Sequence, residues 1–236
     1  MRSQWLVCSQ DSPTQQVLYK TLFLESLTVT LAIFGAVAWG HSPELHFREE
    51  GFITYVSCLQ LLIATVISGK IFRIVSHSGN IKLAKNKTFW LVVSVGLLFL
   101  AFDDAFEIHE QIDIWLHNLF NLQETVITDL ADDIIVGGYL LLFLAYVFTQ
   151  WQTINLFQRS FTFFKIGLAL AIIMVLLDMA SNNYYFTSLI IDDATQAKAL
   201  KQWLGAFEDS AKIFAEGMFI VGLYQCRKIA RTINSK

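Results

Sequence analysis

The sequence predicts an all-α, polytopic membrane protein: a six-helix transmembrane bundle with both termini on the cytoplasmic side. Three observations predict this fold class. Several apolar stretches approach the roughly 20 residues of helix that cross a bilayer. No segment alternates apolar and polar residues as a half-exposed strand does. Finally, the Lys and Arg residues are divided unevenly between the loops of the two sides.

Composition agrees with this class. Of the 236 residues, 55% are hydrophobic and 16% are charged, whereas an average soluble domain has roughly 25% charged residues. These values exclude a disordered chain, a disulfide framework and a basic nucleic-acid binder. The expected partner is therefore the lipid bilayer, with a lipid or a cation as a further ligand and no nucleic acid. The sequence leaves the oligomeric state open.

The whole chain is expected to form a single transmembrane domain. Its predicted spans are residues 21–40, 52–72, 88–119, 130–149, 161–180 and 207–227. The third span continues beyond the apolar run as one long helix, because no Pro follows Pro43 and the helical pattern persists to residue 119. The sixth span is less apolar than the others, since its first half carries several charges.

Basic residues set the expected orientation. With six spans, 13 of the 17 Lys and Arg residues fall on the side of the two termini and 4 on the other side. Because basic loops stay in the cytoplasm, both ends are predicted to lie inside. The acids show the opposite distribution: of 20, only Asp11 and Glu25 fall on the inner side. Such a field would concentrate cations at the outer face.

Many of these acids lie on helices, next to apolar residues. At 100° per residue, six polar residues of the third helix share an arc of about 140°: Asp103, Asp104, Glu107, Glu110, Gln111 and His117. Acids on the fourth, fifth and sixth helices fall at a similar depth. An ionised carboxylate at that depth costs several kcal/mol unless it is paired, protonated or hydrated. We therefore expect a shared polar site beneath the outer surface.

A divalent metal cation is the cofactor that this pattern favours, because helical bundles hold such metals with carboxylates and imidazoles from several helices. Oxygen-rich ligation suits calcium, magnesium or manganese better than zinc. His109 lies about 100° off the acidic arc and would need an irregular helix to join the site. The predicted ligands are Asp103, Asp104, Glu107, His109, Glu110, Asp132, Asp133, Asp178, Asp209 and Glu216.

Several residues also have plain structural interpretations. Lys212 lies four residues from both Glu208 and Glu216, the spacing of an ion-pair ladder along one helix. Glu25 is interpreted as an interfacial residue near the inner end of the first span. Lys70 and Arg73 are interpreted as anchors that reach from the helix to the membrane surface.

The stretch from Asp103 to Glu110, with its Asp-Asp pair followed by His-Glu, resembles a motif of uncharacterised multi-pass bacterial membrane proteins. The resemblance implies a bacterial plasma or inner membrane and brings no activity with it. Ser42-x3-His46 and Asp103 or Asp104 are also similar to elements of the membrane hydrolases that include alkaline ceramidases and hemolysin III-like proteins. Six spans rather than seven, and no final His-x-x-x-His, set this chain apart, so no catalytic role is transferred.

Three functions remain open at this point. The first is an outward-facing divalent-cation site, which could serve a membrane-embedded metal-dependent hydrolase acting on lipid. The second is a cation or proton transporter or sensor. The third is a structural or assembly subunit whose acidic outer face binds a basic partner. The inner halves of spans three and four look apolar, which favours a one-sided site over a conduit.

Overall fold

The computed structural model describes residues 12–47, 51–120, 131–182, 191 and 193–235, including all side chains in these ranges except 12, 131–134, 136, 181 and 182. The regular structure in these ranges is entirely helical, which confirms the all-α class. A 3₁₀ turn, Gln158–Ser160, leads into the helix that begins at Phe161. The α-helices are α1 (Ser12–Ala38), α2 (Phe52–Ser76), α3 (Ile81–Ala84), α4 (Lys87–Phe106), α5 (Ile108–Phe120), α6 (Ala131–Thr149), α7 (Trp151–Leu156), α8 (Phe161–Asn182) and α9 (Ala194–Asn234).

Four stretches are long and apolar enough to cross a membrane: Pro13–Ala38, Phe52–Ser76, Ile81–Phe106 and Gln158–Ala180. Large apolar side chains cover their outer surfaces. Phe34 on α1 is 69% exposed and Leu176 on α8 is 60% exposed. Water would penalise such surfaces, whereas lipid tails accept them. The chain is therefore a membrane protein with several membrane-spanning helices.

Crossing of the membrane by α6 and α9 stays a prediction. The apolar part of α6, Gly137–Thr149, is shorter than the four stretches above. α9 carries too many charged residues for its sequence to resemble a lipid-facing span. The six-span count and the cytoplasmic position of both termini therefore remain predictions as well.

The long helix α9 forms the centre of the packing and contacts α1, α2 and α8, while α2 also packs along α4. Small residues permit this closeness, because α9 buries Ala206, Ala211 and Ala215 against its neighbours. Near one end of the bundle, Ile213 and Ala206 pack with Ile53 of α2. A second cluster, built from α2, α4 and the last turns of α9, forms the other end of the core.

The single helix predicted over 88–119 is wrong, because the chain breaks at Glu107. That residue adopts a left-handed conformation with φ of 52° and separates α4 from α5. Two side chains satisfy the backbone groups that the break exposes. Asp103 Oδ1 accepts a hydrogen bond from the His109 amide at 3.0 Å, and Gln111 Nε2 donates to the Phe106 carbonyl at 2.6 Å. These bonds offset the cost of about 1–2 kcal/mol for a left-handed residue that is not Gly.

The predicted sixth span, 207–227, covers only part of α9. The helix begins at Ala194 because the Asp193 side chain accepts hydrogen bonds from the amides of Thr195 and Gln196, at 2.8 and 3.0 Å. Its 41 residues give a length of about 60 Å, twice the roughly 30 Å of a hydrocarbon core. One helix can thus reach from one side of a bilayer to the other and beyond.

Candidate functional site

An ion pair joins α4 to α9 inside the bundle. Lys212 Nζ donates a hydrogen bond to Asp104 Oδ1, and the two side chains are 27% and 12% exposed. The second oxygen of Asp104 accepts from Cys58 Sγ on α2 at 3.4 Å. The sequence predicted a ladder of Lys212 with acids of its own helix, whereas the structure pairs it with an acid 108 residues away.

Glu216 lies one turn beyond this pair on α9. It is 7% exposed, and its Oε1 accepts a hydrogen bond from Ser57 Oγ on α2 at 2.7 Å. Its Oε2 is buried and has no hydrogen-bond partner in the described part of the chain. The charges of Lys212, Asp104 and Asp209 all act on this carboxyl group. Glu216 therefore has one oxygen held by a hydroxyl group and one without a donor.

Glu25 is buried, so the interpretation of this residue as interfacial is wrong. It is 2% exposed on α1, and neither carboxyl oxygen has a hydrogen-bond partner among the described residues. Its carboxyl group contacts α9 at Gly217, in the space that a Cβ on Gly217 would fill. The absence of a side chain at Gly217 thus lets Glu25 approach the α9 backbone, next to Glu216.

Another buried polar contact joins α1 and α9, nearer the start of α1 and the end of α9. Thr14 Oγ1 on α1 donates to Gln225 Oε1 on α9, and both residues are less than 10% exposed. The contacts Glu25–Gly217 and Thr14–Gln225 show that α1 runs antiparallel to α9. Each contact is buried among apolar side chains, where a polar group is costly unless it serves the structure or the function.

These contacts lie at successive levels along α9, with the largely apolar stretch 218–224 between Gly217 and Gln225. From Lys212 to Gln225 they cover 13 residues of helix, about 20 Å of the roughly 30 Å hydrocarbon thickness. The sequence favoured a one-sided site because spans three and four look apolar in their inner halves; of the polar groups described here, Asp104 lies at the end of α4 and the others lie on α1, α2 and α9. We call this series the polar seam; its members are Asp104, Lys212, Ser57, Glu216, Glu25, Gln225 and Thr14.

A separate pair forms where α4 meets α5. Asp103 is 6% exposed, and its Oδ2 lies 3.1 Å from His109 Nδ1. Glu110 Oε1 lies 3.9 Å from the other ring nitrogen of His109. His109 can reach Asp103 because of the break at Glu107, which is the irregularity that the sequence analysis required.

The structure divides the predicted metal ligands between these two places. Asp104, Asp209 and Glu216 lie near Lys212, whereas Asp103, His109 and Glu110 lie together at the helix break. Glu107 itself forms the left-handed break and Asp178 is half-buried on α8, while the side chains of Asp132 and Asp133 lie outside the described residues. Within the described ranges, no group of three or more His, Cys, Asp or Glu side chains could hold a metal ion.

Sequence reasoning missed four members of the polar seam: Glu25, Ser57, Gln225 and Thr14, the last of which precedes the predicted first span. A signal existed for Glu25: once α1 is extended back to Ser12, this acid falls in the middle of an apolar helix rather than at its end. Ser57 and Gln225 carry no such signal, because single polar residues are common in membrane helices.

Comparisons with curated proteins and with solved structures found no match. Residues 21–226 do match the domain of unknown function DUF8692. The matched range begins in α1 and ends in the last turns of α9, so it includes every helix between them and nearly all of the polar seam. The chain belongs to the DUF8692 family of proteins, whose function is unknown.

Proposed function

We propose that this membrane protein takes up and releases a proton at the polar seam, and that it acts as a proton-linked transporter or a proton sensor. The observation that carries the proposal is a pair of buried carboxyl groups: Glu216 on α9, and Glu25 on α1, which lies against Gly217 of α9. Three of their four oxygens have no hydrogen-bond donor within the described residues. A carboxylate in that setting is costly, whereas a carboxylic acid is tolerated.

The arrangement around Glu216 supports exchange of the proton rather than permanent protonation. Lys212 stabilises a negative charge on Glu216, while Asp104 and Asp209 disfavour it. Because these influences oppose each other, a small change in the position of Lys212 alters their balance. Lys212 already serves Asp104, so the ammonium group cannot fully neutralise a second carboxylate.

The extent of the polar seam along α9 favours transfer of a proton from group to group over retention of the proton on one carboxyl group. Glu25 lies beside Glu216, against Gly217, and Gln225 with Thr14 lies about 12 Å further along α9, which is the inward direction in the orientation that the basic residues predict. A proton that leaves Glu216 therefore has polar groups beside it in the inward direction. Whether the proton crosses the whole membrane or only changes the helix packing decides between a transporter and a sensor.

Infrared difference spectroscopy between acidic and alkaline pH tests the proposal directly. The purified protein should show a carboxylic-acid band that is lost in Glu216→Gln and in Glu25→Gln, because an amide cannot bind an exchangeable acid proton. Glu208→Gln is the matched control, since it removes a half-buried acid from α9 outside the polar seam. An unchanged band in both seam variants would contradict the proposal.

Proteoliposomes then separate the two activities. A pH-sensitive dye trapped inside should report proton entry when an external acid pulse is applied to the wild-type transporter. Glu25→Gln should abolish this entry and Glu208→Gln should not. A carboxylic-acid band without proton entry would identify a sensor.

The predicted divalent-cation site remains a second proposal, favoured by the pairing of Asp103 with His109 at the helix break; the described residues do not complete such a site by themselves, so further ligands would have to come from outside them. A cation there would supply the missing charge compensation for two acids. Metal analysis of the purified protein tests it, with Asp103→Asn expected to lower the content of calcium, magnesium or manganese. Equal metal content in the wild type and Asp103→Asn would eliminate this site.

A further inference from the structure

Basic side chains surround an open cleft where α2 and α9 end. The cleft has a volume of about 540 Å³. It is lined by Lys70, Arg73, Ile74, His77, Arg227 and Arg231. Four of these residues carry a permanent positive charge, and no acid is among the described residues that line the cleft. None of the sequence-based functions uses this end of the molecule.

The two rows of cations face one another because of the helix geometry. Lys70, Arg73 and His77 lie at spacings of three and four residues, so they share one face of α2 and its C-cap. Arg227 and Arg231 are four residues apart and share a face of α9. The hydrogen bond from Ser57 to Glu216 and the shared cleft show that α2 and α9 run in parallel, so both rows reach the same level.

The described residues that line the cleft do not neutralise its positive charge. Two helix C-termini contribute roughly half a negative charge each, which four cations exceed by about three charges. In the described part of the chain, Arg227 Nε is buried without a hydrogen-bond partner. Guanidinium groups present paired donors that fit phosphate oxygens. Cations that only anchored a helix would spread toward different lipids, whereas these converge.

We propose that this cleft binds the phosphate group of an anionic lipid headgroup. Its position fits that ligand, since the membrane-spanning stretch Phe52–Ser76 ends beside Arg73 and His77, at the level where headgroups lie. Ile74 provides an apolar contact for the start of an acyl chain. The residues of the cleft lie outside the polar seam, and binding of a headgroup there requires no proton transfer.

Native mass spectrometry of protein released from nanodiscs tests the site. The nanodiscs contain phosphatidylcholine and phosphatidylglycerol of equal chain length. The wild type should retain phosphatidylglycerol in preference. The triple variant Arg73→Gln, Arg227→Gln, Arg231→Gln should lose this preference by about tenfold or more, given the attraction of each cation for an anionic headgroup.

Lys82→Gln, Lys85→Gln, Lys87→Gln is the matched control, because it removes three exposed cations from the α3 region outside the cleft. It should change the preference less than about twofold. Equal losses in the two triple variants would overturn the proposal, since the attraction would then belong to the whole surface. If the cleft variant fails to fold, Arg231→Gln alone, at an exposed position, should still weaken the preference.

Inorganic phosphate distinguishes the lipid from a free anion. Titrated into delipidated protein, it should bind weakly and be displaced by phosphatidylglycerol. Tight binding of inorganic phosphate that the cleft variant abolishes, combined with no preference among lipids, would overturn the headgroup assignment.

Discussion

Glu25 and Gly217 depend on each other at the level of single residues. The Glu25 carboxyl group occupies the space that Gly217 leaves open on α9, and Thr21, one turn earlier on α1, also borders that space. The contact brings a buried acid against backbone rather than against a donor. A side chain introduced at position 217 would therefore overlap Glu25 more closely than any other described residue.

The substitution Gly217→Ala should lower the free energy of unfolding by about 1–3 kcal/mol, because the new methyl group overlaps the Glu25 carboxyl group. Reversible unfolding in mixed detergent micelles measures this change. In a Glu25→Ala background the cost should fall by at least about half, with the Thr21 Cγ2 atom, 2.8 Å from the new methyl position, accounting for the remainder.

Gly96→Ala provides the matched control. Gly96 lies inside α4 and has no atom within 4 Å of the position of a new Cβ. Its substitution should be neutral or stabilise the helix by up to about 1 kcal/mol. An identical cost of Gly217→Ala with and without Glu25 would show that the two residues are not coupled.

Lys212→Met should destabilise the protein by about 2–4 kcal/mol, because Asp104, only 12% exposed, loses its cation. The double variant Lys212→Met, Asp104→Asn should recover most of this loss, since neither member of the ion pair is then left as a charge without its partner. Thermal unfolding in detergent is a suitable measurement. Lys198→Met on the exposed part of α9 should change stability by less than about 0.5 kcal/mol. A loss of the same size at both lysines would argue against the pair with Asp104.

Sequence alone could identify the residue types of the site but not their partners. Asp104, Lys212 and Glu216 were all recognised as charges in or beside apolar helices. The pairing of Lys212 with Asp104 crosses from α9 to α4, and only the tertiary packing determines it. The local spacing of Lys212 and Glu216 predicted a different partner because one helix was considered at a time.

Helix boundaries were predictable where apolar runs begin abruptly. The starts of α2 at Phe52 and α8 at Phe161 agree with the sequence. The start of α9 was missed because its first turns are polar, although Asp193 followed three residues later by Gln196 is a recognisable N-terminal signal. The break at Glu107 could not be predicted in this way, because no Gly or Pro lies near that position in the sequence.

The substitution Glu107→Gly tests the break between α4 and α5, because the free energy of unfolding should change in opposite directions with and without the break. At a left-handed position Gly should raise the free energy of unfolding by about 1 kcal/mol. In a continuous helix the same change would lower it by about 1 kcal/mol. Chemical unfolding of the wild type and the variant distinguishes the two results.

Glu107→Val completes the comparison. A β-branched residue fits a left-handed conformation poorly and should destabilise the protein by more than about 1 kcal/mol. A stable Val variant together with an unstable Gly variant would indicate a straight helix in the membrane.

For the whole molecule, orientation in the bilayer is the main prediction. A membrane-impermeant maleimide should label Gln196→Cys from outside and Gly79→Cys only after the cells are permeabilised, because basic residues keep the loop at 77–87 inside. Both positions are exposed, so access rather than burial decides the labelling. The parent chain gives the background from its own cysteines. Labelling of Gly79→Cys alone from outside would reverse the orientation.

Lys212, Glu216 and Gly217 near the middle of α9 and Arg227 and Arg231 near its end all belong to one helix without Pro. A helix that no Pro interrupts is stiff along its length. A rotation of α9 about its long axis would turn Glu216 in the polar seam and Arg227 and Arg231 in the cleft through the same angle. A change in acidity on one face of the membrane and a change of lipid on the other would therefore act on the same mechanical part.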